Sequence, residues 1–589
     1  MRVIAFWLCL LLMPHIAVAH IAGEGSQRAT YDFNAQWRLL VGDPKGAENA
    51  DFDDSAWKPV TLPHAWNEDD AFRRSIRDLP TGIAWYRKRF TLRAGSGGEE
   101  KKLFLEFQGV RQAAEVFING EFVGRHEGGF TPFAFEVTKL LRQGENRVTV
   151  GADAERGPDT IPPTVTDWET YGGITRPVHL VITPETYVDD AWIRLTRTGR
   201  IAVTVRLDGP SAAGRLVRVR IPALDFELEG RAGNDGSWAA DAPTPPGLKL
   251  WSPDSPQLYD VVFEAGDDIL HDRVGFRTIE VRGTDILLNG KPIFLRGISM
   301  HEEEFGKEPT RAITPATASA LLGEIKHGLN ANFVRLAHYP HSEVMTRTAD
   351  ELGLLVWSEI PVYWRINFAR AETLATARRM LAENILRDRN RASIILWSVA
   401  NETPLSDARN SFLATLARDV RTLDDSRLVT AALLTDRREK DGHVEMVLND
   451  PLVAQLDVMA INTYNGWYSP DPLAKLPDIV WNADRGKPLI FSEFGADALA
   501  GFHDPALKRK FSEEYQAEYY RQTLKMSEKI PYLRGLSPWI FKDFRSPRRQ
   551  HPVYQQGWNR KGVVSETGQR KQAFTILSDY YRSQMAAGR

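Results

Sequence analysis

The strongest constraint on this chain comes from the rhythm of its residues after Thr284. Eight short apolar runs follow one another there: PIFLRGISMH, NFVRLAHYP, LLVWSEIP, SIILWSVANE, RLVTAAL, LDVMAINTY, PLIFSEFG and LRGLSPWIF. They are apolar on both faces, as strands buried in a parallel sheet must be. Helical patterns lie between them. Thr314 followed by Pro315 reads as an N-cap and first turn, with Gly328 at the end. Leu413, Leu416, Ala417 and Val420 keep the i, i+3, i+4, i+7 spacing of a one-sided helix. Eight strands alternating with helices over residues 284–589 predict one (β/α)8 TIM barrel.

Upstream the rhythm is that of antiparallel sheet. Residues 20–185 hold short alternating runs such as KLFLEFQG and AEVFINGEFVG, with Asn119-Gly120 as a two-residue hairpin signal. They predict a β-sandwich. Residues 186–283 continue with shorter strands, including RIAVTVRLDG and YDVVFEA, and predict a second sandwich of immunoglobulin-like size. Residues 1–19 have one early Arg, an apolar stretch and Ala17-Val18-Ala19, the form of a cleavable secretory signal. The only cysteine, Cys9, falls inside it, so no thiol, disulfide or cysteine metal site is expected after cleavage. The one Asn-x-Ser/Thr sequon, at Asn401, coincides with a strand end, which fits a bacterial periplasmic or secreted protein better than a glycosylated eukaryotic one. A formal charge of −3 gives no global field for nucleic acid or anionic membrane. With 16 Trp, 16 Tyr and 27 Phe, the chain is rich in rings that serve both sandwich cores and sugar stacking.

The chemistry lies in what ends each barrel run. These are His301 and Glu302 after the first, Arg335 and His338 after the second, and Glu359 after the third. Asn401-Glu402 ends the fourth, Asn462 and Tyr464 the sixth, Glu493 the seventh, and Trp539 and Asp543 the eighth. Strand C-termini form the active-site mouth of such barrels. A core accepts a carboxylate only when it is paired or in use. Two carboxyl groups facing across a sugar ring, about 5–5.5 Å apart, suffice for retaining glycoside hydrolysis. Glu402 and Glu493 are the candidates, brought together by barrel closure. The acid of such a pair needs a raised pKa, which a facing carboxylate supplies. Glu359 fits structural pairing better than catalysis.

ANE at the fourth run and SEFG at the seventh resemble glycoside hydrolase family 2. So do GIAWYRKRF, EVFINGEFVGRHEGGFTPF, YGGITRPVHL, LNGKPIFLRGISMHEEEF and NFVRLAHYP, in that order. The resemblance implies a sugar-binding jelly-roll β-sandwich, an immunoglobulin-like β-sandwich and a catalytic barrel, with no cofactor and no metal. It implies Glu402 as acid/base and Glu493 as nucleophile. It assigns Asn401 to the sugar 2-hydroxyl, Tyr464 to steadying the nucleophile, and Arg335 and His338 to support. Substrate contacts would come also from Asp167, His301, Tyr468 and Trp539. Within the family the β-glucuronidases are most similar. INTYNGWY resembles their tyrosine-bearing loop, and in GWNRKG, Asn559 and Lys561 match the Asn-x-Lys pair that holds the glucuronate carboxylate. An ammonium and an amide donor suit a carboxylate. Tyr554, Gln555 and Gln556 stand where such enzymes tend to carry an arginine, and KDFRSPRRQ is unusually rich in it. Lys561 can also be read as part of a solvated basic stretch with Arg545, Arg548, Arg549 and Arg560.

The expected activity is therefore exo-acting hydrolysis of terminal β-D-glucuronides through a covalent glycosyl-enzyme. β-Galacturonidase or β-galactosidase activity on the same scaffold stays open. The expected partner is a carbohydrate, with no nucleic acid, no membrane after signal cleavage, and a homo-oligomer left open. Two other classes compete: a non-catalytic carbohydrate-binding protein, and a metal-dependent hydrolase using His301, His338 and carboxylates. The latter lacks the i, i+4 histidine spacing of a helical zinc motif.

Overall fold

The computed structural model describes residues 21–22, 26–67, 80–92, 100–303 and 313–588. The signal-like residues 1–19, with Cys9, lie outside them. The first domain is a two-sheet sandwich. Its larger sheet runs, in spatial order, Glu121–Glu127, Ala113–Ile118, Gly144–Asp153, Ile83–Leu92, Trp37–Val41 and Lys58–Val60. The facing sheet runs Phe133–Glu136, Lys101–Phe107, Val178–Pro184 and Ala29–Asp32. Alternate residues of both, such as Leu103, Leu105, Val116, Val148 and Val150, meet in one core. The hairpin forms where Asn119-Gly120 predicts it, with φ of 54° and 89°, the pair of positive values a tight primed turn requires.

The second sandwich packs the sheet Tyr187–Leu195, Arg200–Asp208, Ser237–Pro243 against one that contains Leu216–Ile221, Tyr259–Ala265 and Asp268–Val274. The backbone of Ile21–Ala22 pairs with the edge of this second domain, at Asp268–Val274.

The eight runs close into a parallel barrel: β1 Leu295–Met300, β2 Phe333–Leu336, β3 Leu355–Glu359, β4 Ile394–Asn401, β5 Leu428–Leu433, β6 Met459–Asn462, β7 Leu489–Glu493 and β8 Leu533–Leu536. Every residue of β4 and β7 is buried, which explains their mainly apolar character. Thr314 caps the helix Pro315–Gly323 by accepting from Thr317 N, and Gly328 ends the π turn that follows. The one-sided spacing lies on the helix Asp407–Leu423, capped by Ser406, with Leu413, Leu416, Ala417 and Val420 all buried.

The first sandwich closes on the C-terminal rim of the barrel. Its Arg176 donates to Phe130 O, to Pro340 O and to Glu302, the last at 2.6 Å with both partners buried. Burial would raise the Glu302 carboxyl, but Arg176, His341 and the hydrogen bonds from Ser342 together outweigh it and hold it at about 2. Phe130 stacks on Tyr339 at 4.1 Å. Trp168 reaches in among His301, His338 and Tyr363, at ring distances of 5.9, 5.3 and 4.7 Å. The second sandwich is tied to the barrel from another side, by Asp272 with Arg347 and Arg391, and by Asp190 with Arg389.

Candidate active site

The centre of the mouth is Arg335, fully buried at the end of β2. Its Nη1 donates to Glu493 Oε1 at 2.8 Å, and its Nη2 donates to Asn401 Oδ1 at 2.8 Å and Glu359 Oε1 at 3.0 Å. One guanidinium thus joins the ends of β3, β4 and β7. Its planar fork suits this sharing in a way a lysine could not. Glu359 also accepts from Trp357 Nε1 and from His338 Nδ1, at 2.8 and 2.9 Å. Burial alone would raise Glu359, but Arg335 and His338 overcome it and hold it at about 2, so it is the permanent counterion of Arg335. Burial drives His338 down to about 4. The ring is therefore neutral at ordinary pH, with its proton assigned to Nδ1 by the bond to Glu359. Its Nε2 lies 3.8 Å from Glu493 Oε1.

The two catalytic candidates share this frame. Glu493 pairs in register with Asn462 across β6 and β7, and Tyr464 Oη donates to its Oε2 at 2.7 Å. Burial pushes Glu493 up to about 8, against the pull of Arg335 and Tyr464, and the charge of Glu402 pushes it the same way. The facing carboxylate of Glu402 thus adds to the effect of burial on Glu493. In a coupled pair that proton belongs to both carboxyls. Glu402 has a left-handed backbone, φ 50°, an uncommon conformation for a residue with a side chain. Its Oε1 accepts from Asn462 Nδ2 at 2.9 Å, and its Oε2 from the indole of Trp364 at 2.8 Å. Trp364 reaches Glu402 because the loop after β3 forms an isolated bridge, Tyr363 to Asn401. Neither Trp364 nor the bond from Asn462 is expected from the sequence, where the loop carries no periodic signal. Asn401 Nδ2, buried, has no protein acceptor. An unmet buried donor costs about 1–3 kcal/mol, so it marks a place where a ligand hydroxyl is welcome.

A hydrophobic floor lies beside the carboxylates. Trp539 stacks on His338 at 4.6 Å, and His301 packs edge-on against Trp539 at 5.3 Å. Trp539 N donates to Phe494 O, and a Cβ on Gly495 would come within 2.1 Å of Trp539 O. That close approach explains the glycine of SEFG. Asp543, also named at this strand end, lies away from the carboxylates, bound to Lys571 at 2.8 Å and to Arg560.

The third element is cationic. Asn559 and Lys561 are buried, so the solvated-stretch reading of Lys561 is wrong. The Lys561 ammonium lies 5.0 Å from the Tyr468 ring centre and 5.8 Å from that of Tyr464. It forms a buried ion pair with Asp497 Oδ1 at 2.7 Å, which helps hold that carboxyl low. Its remaining N–H bonds have no protein acceptor among the described residues. Asn559 is fixed at both ends of its amide: Oδ1 accepts from Lys561 N, and Nδ2 donates to Asp167 Oδ2, both at 3.2 Å. Asp167, from the first sandwich, also accepts from Ser546 Oγ at 2.7 Å and from Arg549. Tyr468, more than half exposed, stands at the rim beneath Arg549. Arg549 and Gln555, which the sequence offered only as part of a basic stretch and as a departure from the glucuronidase pattern, are site neighbours, and so is Asp497, which accepts from Gln555 and which sequence reasoning did not single out. Among the described residues no group of three His, Cys, Asp or Glu side chains is arranged to hold a metal ion, and no helix is long and apolar enough to cross a membrane.

Known proteins share this fold. The profile of "Glycosyl hydrolases family 2, TIM barrel domain" matches residues 279–585, more than half of the chain; the family's sugar binding domain matches 41–184, and a further family 2 profile matches 186–277. The chain belongs to glycosyl hydrolase family 2. A β-glucuronidase of Paenibacillus borealis is 29% identical over 88% of this chain and 90% of its own. Among solved structures, a Bifidobacterium dentium β-glucuronidase complexed with coumarin-3-O-glucuronide superposes with a TM-score of 0.81 at 25% identity, covering 94% and 97% of the two chains. A family 2 β-galacturonidase from Eisenbergiella tayi bound to galacturonate superposes at 0.79 with 27% identity, again over 94% and 97%. The family 2 membership accounts for the two sandwiches and the barrel in one chain.

Proposed function

We propose that this family 2 enzyme is a retaining, exo-acting β-glucuronidase. The observation that carries the reading is the buried Lys561 ammonium, which pairs with Asp497 on one side and has N–H bonds left over, next to the fixed amide of Asn559 and on the Tyr464 side of the carboxylates. A fixed cation in a dry site is a poor neighbour for a neutral hydroxymethyl group and a strong one for a carboxylate. The names of the relatives support it.

In the proposed mechanism Glu493, held by Arg335 and Tyr464, attacks the anomeric carbon while Glu402 protonates the leaving oxygen. The glycosyl-enzyme ester is then hydrolysed by a water that Glu402 deprotonates. The pair enters the reaction with one proton between its two carboxyls. Asn401 Nδ2 meets the sugar 2-hydroxyl, and Trp539 and His301 form the floor. Asp167 and Tyr468 border the distal edge of the ring, and His338 keeps Arg335 and Glu359 in place. Residues 1–19 act as a cleaved signal directing the protein to the periplasm or outside, which the apolar stretch and Ala17-Val18-Ala19 support. The domains divide at about residues 185 and 283.

The Eisenbergiella tayi likeness makes β-galacturonidase activity the second reading, because the same cation suits either uronate. A panel of 4-nitrophenyl β-glycosides decides. Fastest release from the β-glucuronide is expected. Preference for the galacturonide would move the assignment to that epimer, and preference for the galactoside would overturn the carboxylate site.

A further inference from the structure

The arginine-rich segment KDFRSPRRQ supplies one more charged group to the mouth, beside Trp364. The Arg548 guanidinium lies 4.9 Å over the ring of Trp364, whose indole donates to Glu402. Glu402 is the proposed proton donor to the leaving oxygen, so Arg548 stands where the leaving group sits. Its backbone is firmly placed. Arg548 N donates to Ser546 Oγ, which itself donates to Asp167, and Gly557 N donates to Arg549 O at 2.7 Å. The other cations of the site have carboxylate neighbours: Arg335 has Glu359 and Glu493, Arg549 has Asp167, Lys561 has Asp497. Arg548 is exposed and, among the described residues, forms no ion pair. Arg365, the residue after Trp364, is likewise exposed and without an ion pair among them. In a chain of net charge −3, an unneutralised cation against the ring that serves the proton donor is a local feature.

We propose that Arg548 forms a leaving-group subsite for an acidic sugar, one bearing a carboxylate or a sulfate. This rests on the glucuronidase reading above and names the substrate class of that site. A guanidinium with one face on an indole is partly shielded from water and still offers its N–H edge as a planar fork to an oxyanion. The natural substrate is then a charged saccharide, with an acid on each side of the bond that breaks.

The test uses β-glucuronosyl disaccharides whose reducing unit is glucuronate, glucose 6-sulfate or glucose, together with 4-nitrophenyl β-glucuronide. Wild-type kcat/KM should be roughly three- to tenfold higher with an acidic unit than with glucose at low salt, and the gap should shrink in 0.5 M salt. Arg548→Ala should erase that gap, lowering kcat/KM on the acidic disaccharides by more than on the glucose disaccharide or 4-nitrophenyl β-glucuronide, while Arg548→Lys keeps part of it. The carboxylate and sulfate arms tell which acid is preferred, and an advantage for either supports the subsite. Equal rates on all three disaccharides with wild type, or a gap that survives in Arg548→Ala, would overturn it. Absence of all glucuronide turnover by wild type would remove the glycone reading instead, and the subsite with it.

Discussion

Replacing Lys561 by Met keeps the length and apolar body of the side chain and deletes only its charge. In the folded protein that charge is buried, sits 2.7 Å from Asp497, and has the rings of Tyr464, Trp467 and Tyr468 within 5.0–5.8 Å. A charge-assisted hydrogen bond to a substrate carboxylate contributes about 1.5–3 kcal/mol, which corresponds to roughly 10- to 150-fold in kcat/KM. Asp497 complicates a simple rate comparison. Burial works against its ionised form, and Lys561 and Arg549 hold its carboxyl low, so the variant leaves a buried acid with a weaker partner and loses stability. Comparing two substrates on the same variant cancels any loss of folded enzyme. The ratio of kcat/KM for 4-nitrophenyl β-glucuronide to that for the β-glucoside should fall by the full 10- to 150-fold, and Lys561→Met with Asp497→Asn should regain stability without regaining the ratio. An equal fall on both substrates would refute the reasoning and make Lys561 a structural cation.

Glu402→Gln should spare 4-nitrophenyl substrates relative to alkyl glucuronides by roughly 10²–10⁴, because only poor leaving groups need the proton. In wild type, kcat/KM should decline as pH rises through about 8, where the pair loses its last proton. In Glu402→Gln the 4-nitrophenyl rate should instead rise with pH as Glu493 ionises, with a midpoint below 8, since the charge that helps raise Glu493 is gone; unchanged profiles would contradict the coupling. Trp364→Phe keeps a ring and removes the bond to Glu402, so kcat should drop about tenfold with little change in melting temperature. Arg176→Met leaves Glu302 buried without its partner. It should cost about 3–5 kcal/mol, read as a lower midpoint in urea, and loosen the first sandwich from the rim.

The parts of the fold legible in the sequence were those fixed by local pattern. β4 and β7 betray themselves because a wholly buried strand is dominated by apolar residues and keeps its amide and carboxylates for the mouth, where the asparagine and the carboxylates do appear. Asn119-Gly120 announces its turn because few other pairs accept two positive φ values. What stayed hidden depends on closure in space. Asp167 and Arg549 are 382 residues apart, and nothing near either one points to the other. Trp364 looks like an ordinary loop tryptophan until the Tyr363–Asn401 bridge swings it onto Glu402. Asp497 follows SEFG without any signal that it faces Lys561. The position of the raised pKa was also beyond sequence reasoning. It depends on how deeply Glu493 is buried, which the sequence does not show.

The central claim is that Glu493 is the nucleophile facing Glu402 across a glucuronosyl unit. Treating the enzyme with 2-deoxy-2-fluoro-β-D-glucuronosyl fluoride and mapping the labelled peptide by mass spectrometry tests it most directly. A single fluoroglucuronosyl ester on Glu493, formed as activity disappears, is the expected result. A label on Glu402 or Glu359, or continued turnover with no labelled carboxylate, would contradict the account.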